Sequence, residues 1–142
     1  KVQIEFPKGP AGLYASLYGA EDLLSNLDPA TTNLILDNTD KKNPVKLVIP
    51  KSIGNLSNLK SVLWRGVVSE VPEEICNCKN LQILALPENP DMKQLPECLG
   101  NMPKLTFINL QDCGPDNGKS KLPNNLQETA TERQMEGLWY VA

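Results

Sequence analysis

The sequence contains no histidine among its 142 residues. This absence removes the commonest general base, every nucleophile pair that depends on histidine and most zinc sites. Paired carboxylates remain, and the nearest are Glu73 with Glu74 and Glu132 with Glu136. Glycosidase-type chemistry needs two such groups facing each other across a cleft. We therefore expect no enzyme, no metal site and no cofactor, with catalysis by carboxylates as a distant alternative.

The chain also has few aromatic residues, 5%, and no apolar run near the roughly 18 residues that a membrane span requires. Apolar residues at 40% and charged residues at 22% are typical of a single globular domain. The net charge of −3 and the scattered lysines and arginines argue against nucleic acid as a partner, because nucleic-acid binders usually carry a basic stripe.

Four cysteines are present, and their spacing indicates little. Cys76 and Cys78 form C-x-C and not the C-x-x-C of redox or metal sites, while Cys98 and Cys113 stand alone. A disulfide framework is not excluded, but nothing in the pattern suggests one. We expect all four to be small, buried or half-buried side chains.

Internal repetition is the informative feature of this sequence. Two segments, Leu59 to Asn80 and Leu81 to Lys104, align with a third that begins at Leu105 and resumes over Lys121 to Leu126. The starting leucines are 22 and then 24 residues apart. Self-similarity at a period of 20–29 residues is the sign of a stacked repeat architecture.

Each segment carries the same motif. Leu81, Leu84 and Leu86 give L-x-x-L-x-L, and Asn89 follows three positions later. The corresponding positions are Leu105, Ile108, Leu110 and Cys113 downstream, and Leu34, Leu36 and Thr39 in a looser upstream repeat that carries an insertion. A second motif recurs as IPKSIGNLSNL, VPEEICNCKNL and LPECLGNMPKL.

These two motifs resemble those of the leucine-rich repeat family over residues 31–126. The resemblance implies an α/β fold, a right-handed solenoid with short parallel strands on its concave side and loops or 3-10 turns on its convex side. Alternation along each strand points the leucines inward. The asparagine position satisfies backbone groups where the chain leaves the strand. One repeat cannot fold alone, so stacked neighbours and caps are needed.

The ends are expected to cap the repeats, with residues 1–30 forming a strand and a helix and residues 127–142 a cap or the start of a further segment. The helix is predicted from the recurrence of Leu13, Leu17, Ala20, Leu24 and Leu27 on one face. A polar helix is predicted over Asn125 to Gly137, followed by Leu138 to Val141 as a capping strand or a further repeat.

The first full repeat departs from the motif. It has Val67 where asparagine is expected and is one residue short, so its register is open. The alignment predicts that Trp64, although bulky, points inward and that Leu63 points outward.

Family members usually bind partners on the concave face, at the outward strand positions. Carried over to this sequence, those positions are Asn33, Ile35, Asp37, Ser61, Leu63, Arg65, Ile83, Ala85, Glu88, Phe107, Asn109, Gln111 and Asp112. Five of them, Ile35, Leu63, Ile83, Ala85 and Phe107, would form an apolar stripe flanked by charge, as interaction sites do. If the register is off by one residue, some of these side chains belong to the core.

Two short motifs match known functional patterns but also have simpler explanations. Gly118-Lys119-Ser120 is similar to the end of a phosphate-binding loop, but Gly114 is one position too close, so a solvated loop is expected. Asn55-Leu56-Ser57 is an N-glycosylation sequon that matters only in a secreted eukaryotic protein.

The sequence thus predicts a module that binds a protein partner, whose identity it does not give. A structural spacer or assembly subunit of a larger surface protein is the alternative. The form of the I-P-x-x-I-G-N-L motif favours a cell-surface or secreted location, whereas unpaired cysteines and the lack of a visible leader argue against it.

Overall fold

The computed structural model describes residues 2–5, 24–38, 40, 42, 45–133 and 137–141. Within these ranges short strands alternate with short 3-10 helices. The strands are β1 (Val2–Glu5), β2 (Asn33–Asp37), β3 (Leu47–Val48), β4 (Ser61–Arg65), β5 (Val68–Glu70), β6 (Ile83–Ala85), β7 (Phe107–Asn109), β8 (Ala130–Arg133) and β9 (Leu138–Val141). The 3-10 helices are η1 (Lys51–Asn55), η2 (Glu73–Asn77), η3 (Glu97–Asn101) and η4 (Lys119–Lys121), and an α-helix spans Asn124–Gln127.

The main sheet has seven strands in the order β1-β2-β4-β6-β7-β9-β8. The first five strands pair in parallel with their neighbours, and β9 and β8 complete the sheet in antiparallel pairing. A second, two-stranded parallel sheet joins β3 and β5. The fold is therefore mixed α/β with a mostly parallel sheet and little helix, as the sequence predicted at this coarser level.

Strand register places equivalent leucine-type positions side by side. Leu34, Val62, Leu84 and Ile108 form one continuous row across β2, β4, β6 and β7, and all four are buried. Trp64 pairs with Leu36 in the next inward row and is fully buried, while Leu63 between these rows is only half-buried. Successive side chains of a strand point to opposite faces, so the predicted orientation of Trp64 and Leu63 is confirmed.

Helices η1, η2 and η3 pack against the same core as the main sheet. Each of these three starts after a proline whose fixed φ suits the turn, and each directs one aliphatic residue into the core. The prolines are Pro50, Pro72 and Pro96, and the aliphatic residues are Ile53, Ile75 and Leu99. Helix η1 contacts η2, and η2 contacts η3. The buried side chains of both layers form a single core.

Asn89 holds the turn that follows β6. Its side chain is 3% exposed, and its Oδ1 accepts hydrogen bonds from the backbone N–H groups of Val67 and Val68, both at 2.8 Å. Its Nδ2 donates to the carbonyl oxygens of Trp64 at 2.8 Å and Leu86 at 2.9 Å. This asparagine therefore ties its own turn to the turn after β4, because backbone groups left by the bend need partners.

Cys113 occupies the equivalent place after β7. Its thiol donates to the carbonyl oxygen of Leu86 at 2.9 Å, the carbonyl aligned with the one of Trp64 that Asn89 satisfies. Burial raises the pKa of Cys113 to about 11, and a backbone hydrogen bond from Asn89 opposes this shift. A neutral thiol thus replaces one of the donor functions of asparagine. Thr39, predicted at the same place after β2, lies outside the described residues.

Two of the four cysteines are cross-linked, although their spacing gave no sign of it. Cys76 and Cys98 form a disulfide that joins η2 to η3, a pairing that the sequence did not exclude but gave no reason to expect. The pairing was not evident from the sequence because the two cysteines occupy different positions within their 3-10 helices and come together only when the helices pack. Cys78 and Cys113 are free and buried.

The carboxyl-terminal prediction is partly wrong. The α-helix ends at Gln127, and residues 130–133 form β8 instead of continuing a polar helix towards Gly137. Leu138–Val141 is a strand, and it runs antiparallel to β7. Of the two alternatives for this segment, a capping strand and a further repeat, the first agrees with this arrangement. Trp139 explains this arrangement, because it pairs with Ile108 and is 1% exposed. The predicted helix over Leu13, Leu17 and Ala20 lies outside the described residues.

Candidate functional site

The outward side chains of the parallel strands form an open face on the main sheet. Register orders them in three rows. The rows are Asn33, Ser61, Ile83, Phe107 and Tyr140; Ile35, Leu63, Ala85, Asn109 and Leu138; and Asp37 with Arg65, extended by Glu88 and Asp112 in the following turns. All thirteen residues predicted as a binding surface lie on this face or, for Glu88, Gln111 and Asp112, in the turns at its edge.

The predicted apolar stripe is less exposed than the sequence suggested. Ile35, Leu63, Ala85 and Phe107 are half-buried, and Ile83 alone of the five is exposed, at 40%. Neighbouring strands lie about 4.8 Å apart, so outward side chains cover one another along each row. The accessible apolar area is therefore concentrated in one part of the face, on β6 to β9, and not along the whole predicted stripe.

That area consists of Ile83, Phe107 and Tyr140, which we call the apolar corner. The three residues are adjacent in register on β6, β7 and β9. Tyr140 is 59% exposed, and its ring meets that of Phe107 edge-to-face with centroids 6.0 Å apart. Sequence reasoning missed Tyr140 because β9 lies outside the segments that carry the recurring motif, although the alternation in Leu138 to Val141 was visible.

Charged side chains lie at the carboxyl ends of the same strands. Arg65 stands between Asp37 and Glu88, with ion-pair distances of 3.7 Å and 3.6 Å. Asp112 follows in the next turn and is exposed. We call Asp37, Glu88 and Asp112 together with Arg65 the acidic rim. Three carboxylates face one guanidinium in this group, so the rim carries net negative charge.

The backbone of the rim requires a left-handed conformation at one repeated position. Gly66, Glu88 and Asp112 are equivalent in register, and their φ values are 63°, 60° and 59°. A Cβ atom on Gly66 would lie 2.8 Å from the backbone oxygen of Asn38, which accounts for glycine there. At the other two positions the same conformation presents a carboxylate side chain at the edge of the sheet.

The polar members of the face are held by local hydrogen bonds. Ser61 Oγ donates to Oδ1 of Asn33 across the β2–β4 pair. Asn109 Oδ1 accepts from the backbone N–H of Gln111 at 2.9 Å. These contacts hold the side chains next to the apolar corner in fixed positions.

The backbone N–H groups of the Gly118-Lys119-Ser120 loop bind a carboxylate of the chain itself. The carboxylate of Asp116 accepts hydrogen bonds from the backbone N–H groups of Gly118, at 3.1 Å, and Ser120, at 2.9 Å. Desolvation raises the pKa of Asp116, but the hydrogen bonds from Ser120 and Gly118 outweigh it and hold that pKa below its ordinary value. A residue of the chain already fills the position that a phosphate would take.

Features typical of catalytic sites are few in the part of the chain that the structure describes. Glu73 and Glu74 are neighbours on η2 and do not face each other across a cleft. The Glu132 side chain and Glu136 lie outside the described residues. No group of three or more metal-ligating side chains occurs among the residues described. Nor does any helix described there have the length and apolar character to cross a bilayer.

No protein-family model matches this sequence, and no curated protein matches it at a significant level.

Proposed function

We propose that this chain is a leucine-rich repeat module, a right-handed solenoid that binds a protein partner on the concave face of its parallel strands. Support for the repeat assignment comes from the recurrence of strand, turn and 3-10 helix in the same order. Equivalent residues of these units lie side by side in register. Helix η1 packs on η2, and η2 on η3, as expected where neighbouring units stack.

The single observation that carries the binding proposal is the apolar corner. Exposed aromatic and aliphatic side chains on a face that also carries polar and charged groups are the usual composition of a protein interface. Ile83 at 40% and Tyr140 at 59% are exposed although the inward side of the same strands is closely packed. Partner contact would remove this surface from water, and burying one such aliphatic side chain contributes about 1.5–3 kcal/mol.

The acidic rim specifies the chemistry of the partner. A lysine or arginine on the partner would meet Asp37, Glu88 and Asp112, whose charges Arg65 only partly balances. The rim and the apolar corner lie at opposite ends of the strands, and the four residue steps of β4 from Ser61, which pairs with Ile83, to Arg65 span about 13 Å. A fitting partner is therefore an extended segment with an aromatic or aliphatic side chain and a cation about four residues apart.

The proposal is tested by selecting binders from a random peptide library displayed on phage, with the oxidised chain as bait. Enriched peptides should combine an apolar anchor with lysine or arginine at that spacing. Calorimetry with a selected peptide should show at least a tenfold weaker affinity for Ile83→Asn, because about 1.4 kcal/mol corresponds to a factor of ten. Asp112→Asn should weaken binding less, and that loss should shrink as salt rises.

Val48→Asn is the matched control, because Val48 is 58% exposed but lies on the small sheet. It should bind the selected peptides as the wild type does. Equal binding by Ile83→Asn and the wild type would refute the proposal. Sedimentation of the chain alone addresses the assembly alternative: self-association that Ile83→Asn abolishes would mean that the face contacts a second copy instead of a foreign partner.

A further inference from the structure

An asparagine closes each of the three 3-10 helices that follow the proline turns. Asn55, Asn77 and Asn101 are the last residues of η1, η2 and η3, and all three are exposed. They differ two positions further on, where the chain has Ser57, Lys79 and Pro103. Only Asn55 therefore meets the N-x-Ser/Thr requirement of an N-glycosylation acceptor, while the other two positions are natural controls.

The local structure presents the Asn55 sequon to solvent. Leu56 is 2% exposed and anchors the segment in the core, whereas Asn55 and Ser57 on either side of it are exposed. No residue that the structure describes forms a hydrogen bond with the Asn55 carboxamide. Ile53 of the same helix is fully buried in the core. A large substituent on Asn55 would therefore extend into solvent.

The Cys76–Cys98 disulfide is an independent observation on the compartment. Structural disulfides form and persist in oxidising compartments and are rare where glutathione keeps thiols reduced. The two free thiols, Cys78 and Cys113, are buried and so are protected from mispairing. This combination of one cross-link and two shielded thiols fits a chain that matures in an oxidising lumen.

We propose that Asn55 carries an N-linked glycan, acquired as the chain passes through the oxidising lumen of a eukaryotic secretory pathway. The co-reactant is an oligosaccharide linked to a lipid through pyrophosphate. The Asn55 amide nitrogen attacks the anomeric carbon, the C–N bond forms, and the C–O bond to the pyrophosphate breaks. The lipid pyrophosphate leaves with the bonding electrons, and the amide nitrogen loses one proton. This inference does not depend on the proposed binding function.

The test is secretion of the full chain, behind a cleavable leader, from cultured eukaryotic cells. The intact mass of the secreted protein should exceed the polypeptide mass by one glycan. An amidase that cleaves N-glycans should remove it and convert the acceptor asparagine to aspartate, which adds about 1 Da to the polypeptide mass. Asn55→Gln and Ser57→Ala should each lack the glycan. Both variants should retain the Cys76–Cys98 disulfide, measured by thiol alkylation.

Lys79→Thr supplies the positive control, because it creates a sequon at Asn77, the equivalent position on η2. This variant should carry two glycans. Glycan at Asn77 with none at Asn55 would overturn the proposal, as would a secreted wild type of unmodified mass. Retention of the chain in the cell without the disulfide would overturn it as well, since the proposed compartment would then be wrong.

Discussion

Replacing Asn89 with alanine should be among the most destabilising single substitutions in this chain. The Asn89 side chain makes five buried hydrogen bonds, two as acceptor and three as donor, the third donor contact being to the Pro87 carbonyl at 3.1 Å. Its amide has only two N–H groups, so one of them is shared between acceptors. Alanine would leave the two acceptor bonds and the donor bonds unmade in a site that is 3% exposed.

The expected cost follows from the groups left without partners. Each buried backbone group that loses its hydrogen bond costs about 1–3 kcal/mol. Two amide N–H groups and three carbonyls lose this partner, although the Leu86 and Pro87 carbonyls keep the Cys113 thiol and the Gly66 N–H as donors. Relaxation or an entering water would recover part of the loss. We expect Asn89→Ala to lower the free energy of unfolding by about 3–5 kcal/mol, above the usual range for a point substitution. For a chain of this size the melting temperature should fall by about 10–15 °C.

Denaturant titration followed by circular dichroism measures this cost, with melting temperature as a second readout. Asn101→Ala is the control, because Asn101 is exposed, and it should change stability by less than about 0.5 kcal/mol. Asn89→Cys should recover about half of the loss, since Cys113 already donates to a carbonyl in the equivalent turn. A loss below about 1 kcal/mol for Asn89→Ala would refute the view that this side chain holds two turns together.

Further outcomes are expected for the disulfide, for Gly66 and for the two free thiols. Reducing the Cys76–Cys98 disulfide, whose ends are 22 residues apart, should lower stability by about 3 kcal/mol through loop-closure entropy, measured by thermal unfolding with and without reductant. Gly66→Ala should cost about 1–3 kcal/mol in a denaturant titration, because φ is +63° and the added Cβ meets backbone. Burial raises the pKa of Cys78 and of Cys113 from 9.0 to about 11, so stability should fall as pH rises from about 9 towards 11, where the unfolded thiols ionise first. In the same range a thiol reagent should label the native protein far more slowly than the unfolded one.

The outward and inward positions of the central strands were predictable because the alternation of side chains along a strand depends only on local backbone geometry. Leu84 and Ile108 were placed inward from the motif, and both are fully buried. The inward position was predicted correctly even in the segment Leu59 to Asn80, which departs from the motif. Trp64 occupies the position of a leucine there despite its size, and it is fully buried. A regular hydrophobic pattern with one buried face leaves little freedom in register.

Three features were not predictable, and in each case the reason is a contact between distant residues. The Cys76–Cys98 disulfide depends on how η2 packs against η3. Strand β8 replaced a predicted helix because Ala130 to Arg133 find partners along β9, and pairing overrides a weak local propensity. Tyr140 joined the apolar corner because β9 reverses direction and pairs with β7.

Repeated leucine and asparagine spacing determined, without any structure, which side chains of the central strands enter the core and which remain outside. This is because strand periodicity is a local property of the backbone. Tertiary structure decided where the exposed apolar surface is concentrated, which thiols are cross-linked, and how the carboxyl-terminal strands complete the sheet. Those outcomes depend on which surfaces pack against each other, and packing is a relation between segments that no single segment specifies.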